Sequence, residues 1–96
     1  MDIQNAANCL AELGHQKRLA IYRMLVKAGL QGLTVGEIAR TLEIAPTTLN
    51  HHLEHLHRVE LIQKEKEGRM VWCKANYNLM DSLIEYLADD CCVGGK

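Results

Sequence analysis

Apolar residues recur along most of the chain at spacings of three and four, the signature of helices that bury one face. Ile3, Ala6, Ala7, Leu10 and Leu13 form the first run, which stops at Gly14. A second helix is expected from about His15 to Ala28, with Leu19, Met24, Leu25 and Val26 as its apolar content and Gly29 as its stop. Residues 29–33 read as a loop. Thr34-Val-Gly-Glu37 then has the form of a capping box, in which the threonine accepts from a backbone N–H and the glutamate reaches back. It opens a short helix carrying Val35, Ile38, Ala39 and Leu42. After a tight break at Glu43-Ile44-Ala45, Pro46 suits the first turn of a helix that aligns Leu49, Leu53 and Leu56.

The period then changes. Residues 59–66 and 70–74 flank Glu67-Gly68-Arg69 and read as a charged two-stranded hairpin turning at Gly68. The last helix is expected from Asn76, a cap residue, to Cys92, with Leu79, Met80, Leu83, Ile84, Leu87 and Cys91 on one stripe. No internal repeat or linker divides the chain. The predicted architecture is a single domain over residues 1–96, mainly α with a small β-hairpin, in the order α-α-α-α-β-β-α.

Two helices joined by three or four residues, the second with a polar outer face, make a helix-turn-helix. A basic hairpin directly after it completes a winged helix-turn-helix. The second helix of that motif enters the major groove, where base edges can be told apart. Thr47, Thr48, Asn50 and His51 occupy its first turn and a half, and His55 follows one turn later. Their hydroxyl, amide and imidazole groups suit hydrogen bonds to bases or phosphates. Lys64, Lys66, Arg69 and Lys74 on the hairpin would bring cations to the DNA backbone. The same polar face also suits plain solvation, and winged helices also serve as protein-binding modules.

Composition first speaks against nucleic acid, then for it. The 96 residues carry a net charge of −1, but residues 14–74 hold ten of the eleven Lys and Arg against six acids, a net +4. The two ends hold one lysine against six acids, a net −5. The charge is partitioned between a basic middle and acidic termini. The chain holds no run of about 18 apolar residues, the length a membrane-spanning helix needs. The amino terminus has Asp2 and no early cation, unlike a secretory signal, so a cytoplasmic location is expected. The chain lacks a Cys-x-x-Cys motif and any evident nucleophile–base pair, so no enzymatic activity is expected.

Four cysteines and five histidines remain. Cys9, Cys73, Cys91 and Cys92 are read as reduced thiols, because adjacent cysteines seldom pair and no secretion signal is present. His51, His52, His55 and His57 point around much of one helix, which is a poor arrangement for a zinc site. His52 is read instead as packed and hydrogen-bonded. Two neighbouring thiols at a helix end can turn onto one soft ion, and trivalent arsenic takes two or three thiolates. Cys91 and Cys92 are thus candidate ligands, with Cys73 as a candidate third. A helix from about 78 to 91 is roughly 20 Å long. Cys73 and Cys91 therefore meet only if the strand doubles back beside that helix, or across a dimer. Cys73 equally suits a small core position.

Several runs resemble the ArsR/SmtB family of winged-helix metalloregulators over essentially the full chain. They are Leu13-Gly-His-Gln-Lys-Arg-Leu-Ala-Ile-Tyr-Arg-Met-Leu25, Leu33-Thr-Val-Gly-Glu-Ile-Ala39, Thr47-Thr-Leu-Asn-His-His-Leu53, Glu67-Gly-Arg69 and Tyr86-Leu-Ala-Asp-Asp-Cys-Cys-Val-Gly-Gly95. The tail resembles the arsenic-responsive branch that ends in a Cys-Cys-Gly type of sequence. The resemblance implies a homodimer joined through the first and last helices, binding palindromic operator DNA as a repressor. Trivalent arsenic, as arsenite or an organoarsenical such as methylarsenite, would be the inducer. It also implies that Thr47, Thr48, Asn50 and His51 are recognition-helix contacts. The family's cysteine-rich arsenic site before the turn is absent, since residues 35–40 hold no cysteine, and no histidine follows residue 57 to build its last-helix zinc site. The alternative expectation is a repressor that senses persulfide, oxidation or another thiophilic metal through the same thiols.

Overall fold

The computed structural model describes residues 1–92. Its elements are α1 (Ile3–Leu13), α2 (Gln16–Ala28), β1 (Leu33–Thr34), α3 (Val35–Leu42), α4 (Pro46–Arg58), β2 (Ile62–Glu67), β3 (Met70–Ala75) and α5 (Tyr77–Ala88). Each helix begins where its local chemistry allows. Asp2 accepts from the Asn5 N–H at 2.8 Å to cap α1, and the His15 ring caps α2. The Thr34–Glu37 capping box forms as expected, and Pro46 opens α4. Glu43, in the left-handed region at φ 53°, reverses the chain between α3 and α4.

One element escapes the sequence reading. The loop after α2 ends in a two-residue strand, β1, which pairs antiparallel with β3 to give a three-stranded sheet of order β1-β3-β2. Gly32 makes the pairing possible: a Cβ there would lie 2.1 Å from the Cys73 carbonyl oxygen, and φ is +76°. Two residues carry too little periodicity to be read as a strand. Their pairing is set by the close approach to β3.

The core is built from Ile21 and Leu25 of α2, Ile38 of α3, Leu49, Leu53 and Leu56 of α4, then Leu61, Ile62 and Cys73. On α2 the buried residues are Ile21, Tyr22 and Leu25, whereas Leu19 stands 43% exposed. The buried face of that helix is therefore rotated from the stripe its sequence suggests. Leu53 is fully enclosed, and Leu53→Ala is expected to cost about 2–5 kcal/mol in stability, readable from urea unfolding.

The first and last helices carry large exposed apolar residues: Ile3 at 74%, Ile84 at 57% and Leu87 at 59%. α5 is anchored chiefly at its start. Asn76 Nδ2 donates to the Glu60 carbonyl at 3.0 Å, and Tyr77 Oη donates to that of Val26 at 2.7 Å. Leu83 is its one buried side chain. The helix stops at Ala88, so Cys91 and Cys92 follow it in turns and do not continue its stripe. Asp90 takes φ 59°, outside the right-handed helical region. The Val93-Gly-Gly95 part of the tail lies outside the described residues. Among the described residues, no helix is long and apolar enough to cross a membrane.

Candidate functional site

α3, the turn at residues 43–45 and α4 form the helix-turn-helix, with the Leu49, Leu53 and Leu56 stripe fixing which face of α4 turns inward. Thr47, Thr48, Asn50 and His51 all stand exposed on the opposite side. The N-cap residue Ala45 has no side-chain acceptor, so the first N–H groups of α4 are left without a side-chain cap. Exposed N–H groups and the positive end of the helix dipole suit an anion there.

The wing sorts its charges by pleat. Residues two apart on a strand share a face, so β2, Ile-Gln-Lys-Glu-Lys-Glu, separates its lysines from its glutamates. Lys64 and Lys66 share the side of buried Ile62, toward α4, and Lys64 Nζ lies 3.5 Å from Glu54 of that helix. Arg69 is exposed at the tip beside Gly68. Gln63, Glu65 and Glu67 share the far side with Trp72 and Lys74, where they line an open groove of about 340 Å³. The sequence groups Lys74 with the phosphate-binding cations. Its register opposite Gln63 instead puts it on the acidic side, away from α4.

His55 is also not simply a free surface group. Its Nδ1 lies 3.1 Å from Glu12 Oε1 of α1, and its Nε2 lies 3.2 Å from His51 Nε2. Arg18 Nε donates to the Glu12 carbonyl at 2.8 Å and lies 3.4 Å from its Oε1. His52 is 7% exposed with its ring centroid 4.9 Å from that of His15. It is packed as expected, but its Nδ1 has no hydrogen-bond partner among the described residues. Glu12, His15 and Arg18 were invisible to sequence reasoning. They lie some forty residues from α4 and are joined to it only by folding.

Burial, then electrostatic interaction with His15, Arg18, His51 and His55, pushes the His52 pKa down from its ordinary value. The unfolded chain therefore takes up this proton at higher pH than the folded one, and stability falls as pH drops below about 6.5. His52→Gln is expected to flatten that fall in urea midpoints measured at pH 8, 6 and 5.

Cys73 is wholly buried on the central strand, paired with Leu33 on one side and Lys64 on the other, and burial pushes its thiol pKa up. Cys9 is 2% exposed with its Sγ 3.8 Å from the Val59 carbonyl, and its thiol is likewise raised. Cys91 and Cys92 are exposed, with their sulfurs 3.2 Å apart. Among the described residues of one chain, no three His, Cys, Asp or Glu side chains converge as a metal site. Cys73 as a third ligand beside Cys91 and Cys92 in the same chain is thus not supported. A middle strand buries its inward side chains under the helices, which keeps that thiol from the exposed tail.

A helix-turn-helix domain family matches residues 13–65. The transcriptional activator HlyU of Vibrio cholerae serotype O1 is 31% identical over 78 residues, covering 81% of this chain and 69% of that protein. The structure of reduced HlyU superposes with TM-score 0.73 at 29% identity, covering 93% of this chain and 90% of that one. An ArsR-like regulator from Rhodococcus sp. RHA1 shares the fold at TM-score 0.77 and 21% identity, over 88% and 76% of the two chains. So does the homodimeric winged helix-turn-helix DNA-binding domain Mb0332 of Mycobacterium bovis, a possible ArsR-family regulator, at 0.71 and 21%, over 92% and 82%. These relatives are transcriptional regulators and not enzymes. With a helix-turn-helix followed by a wing, the chain belongs to the helix-turn-helix family of transcriptional regulators that its HlyU relative represents, and it shares its fold with ArsR-like regulators.

Proposed function

We propose that residues 1–96 act as one cytoplasmic unit that binds operator DNA as a homodimer and represses transcription until trivalent arsenic binds Cys91 and Cys92. The observation that carries the arsenic reading is the exposed pair of sulfurs 3.2 Å apart just beyond α5. Metal–sulfur bonds of about 2.3 Å let two sulfurs at that separation reach one soft centre. Arsenite exchanges two hydroxides for two thiolates, and the thiol protons leave with them as water. The third position keeps its hydroxide, or its methyl group in a methylarsenical.

The basic side of the wing, continuous with the exposed face of α4, supports DNA as the partner. Thr47, Thr48, Asn50 and His51 face the bases, while Lys66 and Arg69 meet phosphates. Lys64 joins them when DNA draws it from Glu54. The exposed Ile3, Ile84 and Leu87 support a second copy as the cover of α1 and α5. Arsenic must bind the DNA-free form better than the bound one, since only differential affinity shifts the equilibrium.

The test uses a duplex selected from a random pool and fluorescence anisotropy. The logarithm of the affinity is expected to fall linearly with log salt. Lys66→Ala or Arg69→Ala is expected to reduce that slope by about one for each phosphate that is no longer neutralised. Arsenite is expected to weaken binding by about 5–150-fold. Unchanged affinity in arsenite, with the thiols reduced, overturns the arsenic reading.

A second reading has one observation in its favour. One solved structure of the HlyU relative is of its reduced form, and an exposed pair of thiols also suits persulfide or oxidation chemistry. Release by polysulfide or peroxide, with arsenite inert, supports that reading over the first.

A further inference from the structure

Three side chains form a line from the first helix to the face of α4. Glu12 Oε1 lies 3.1 Å from His55 Nδ1, and His55 Nε2 lies 3.2 Å from His51 Nε2. The first two are mostly covered, with side-chain exposures of 18% and 24%, while His51 is open to solvent. Arg18 Nε holds Glu12 from behind, donating to its main-chain carbonyl at 2.8 Å and lying 3.4 Å from its Oε1.

With both imidazoles neutral, as the pH 8 test below has them, the protons along this line have one arrangement. A carboxylate only accepts, so His55 Nδ1 carries the proton. A neutral imidazole has a single N–H, so His55 Nε2 is an acceptor and His51 must donate from its own Nε2. His51 Nδ1 is then bare, and it can only accept. We propose that Glu12, acting through His55, sets the tautomer of His51 and thereby makes it a hydrogen-bond acceptor at the DNA surface. Glu12 and His55 are positioning residues for recognition, although neither belongs to the exposed contact set. This rests on the reading that α4 enters the major groove.

The consequence is a base preference. In the major groove, donors come from cytosine N4 and adenine N6, whereas guanine N7 and O6, thymine O4 and the phosphates accept. A His51 held as an acceptor favours cytosine or adenine and is repelled by the others. The remaining groups packed against the line do not compete for its protons. Burial, then His15 and Arg18, lower the His52 pKa, and its ring centroid is 6.2 Å from that of His51. Among the described residues no third metal donor joins the two imidazoles, which leaves a proton as what they share.

Two measurements test this. Long-range proton–nitrogen correlation spectra of the labelled full chain at pH 8 are expected to show His55 protonated at Nδ1 and His51 at Nε2. In Glu12→Ala, His55 is expected to move its proton to Nε2. Glu12→Gln keeps an oxygen facing two donors and is expected to restore the wild-type pattern, which a purely structural effect of the charge would not do. Wild-type His55 protonated at Nε2 overturns the relay.

Selection from a random duplex pool reads the consequence. The wild type is expected to favour cytosine or adenine about tenfold at one position per half-site. Glu12→Ala and His51→Ala both lose that preference. An unaltered preference in Glu12→Ala overturns the proposal. If the wild type enriches no sequence at all, the DNA reading itself has failed, and the spectra show separately whether the relay exists.

Discussion

The double variant Cys91→Ser/Cys92→Ser is expected to bind a selected duplex like the wild type and to ignore arsenite. Wild-type affinity should fall about 5–150-fold at the same arsenite concentration. The two residues lie in turns beyond Ala88 and are exposed, so serine removes no packing and leaves the fold intact. Serine is close in size, but its oxygen is a hard donor that does not hold a soft ion. Each single variant should also lose most of the response, because the pair acts as a chelate. Cys73→Ser is expected to behave differently. It sets a hydroxyl in a fully buried position on the central strand and lowers stability, yet spares the arsenite response while the fold persists. Anisotropy in arsenite, beside thermal melting of each variant, checks both. Release of the double variant by arsenite sinks the proposed site. Loss of the response in a well-folded Cys73→Ser would move it to the sheet.

The largest effect on DNA binding should come from residues that never touch DNA. Ile84 and Leu87 stand 57% and 59% exposed on α5, beside an apolar groove lined by Leu13, Leu19, Tyr22, Val26 and Met80. In a two-fold interface each residue is used twice, so Ile84→Asp with Leu87→Asp alters four side chains. Full burial of such a side chain is worth about 1.5–3 kcal/mol, and roughly half of each remains available to a partner. The dimer should therefore lose about 3–6 kcal/mol, or about two to four powers of ten in its dissociation constant. Sedimentation is expected to show monomers at micromolar concentration. The salt slope of DNA binding should drop by about half, since one protomer brings half the phosphate contacts. A variant that remains dimeric would show that α5 is not the interface.

Both expectations begin as patterns in the chain, and the structure alters them unequally. The capping box, Pro46 and the Leu49, Leu53, Leu56 stripe set α3 and α4 within short windows, because caps and helical period are local. The hairpin turn at Gly68 is equally legible. By contrast, β1 depends on Gly32 meeting the Cys73 carbonyl forty-one residues away. The buried face of α2 is not legible in the same way, because Leu19 and Ile21 are both apolar and only packing chooses between them. The stripe of apolar residues on the last helix continues through Cys91 and predicts a helix reaching Cys92. The helix stops at Ala88 instead, leaving the thiols free of it.

Local sequence therefore determined the helices, their caps, the wing and the exposed identities of Thr47, Thr48, Asn50 and His51, because each depends on residues within about one turn. It also determined that basic and acidic residues alternate on β2. Only the tertiary structure decided which side of the wing faces α4, separating Lys64 and Lys66 from Lys74. It alone enclosed Cys73 while leaving Cys91 and Cys92 open, and it alone brought Glu12 to His55. The physical reason is the same in each case. Burial and hydrogen bonding between distant segments depend on how the elements pack, and no periodicity within one segment records which other segment will cover it.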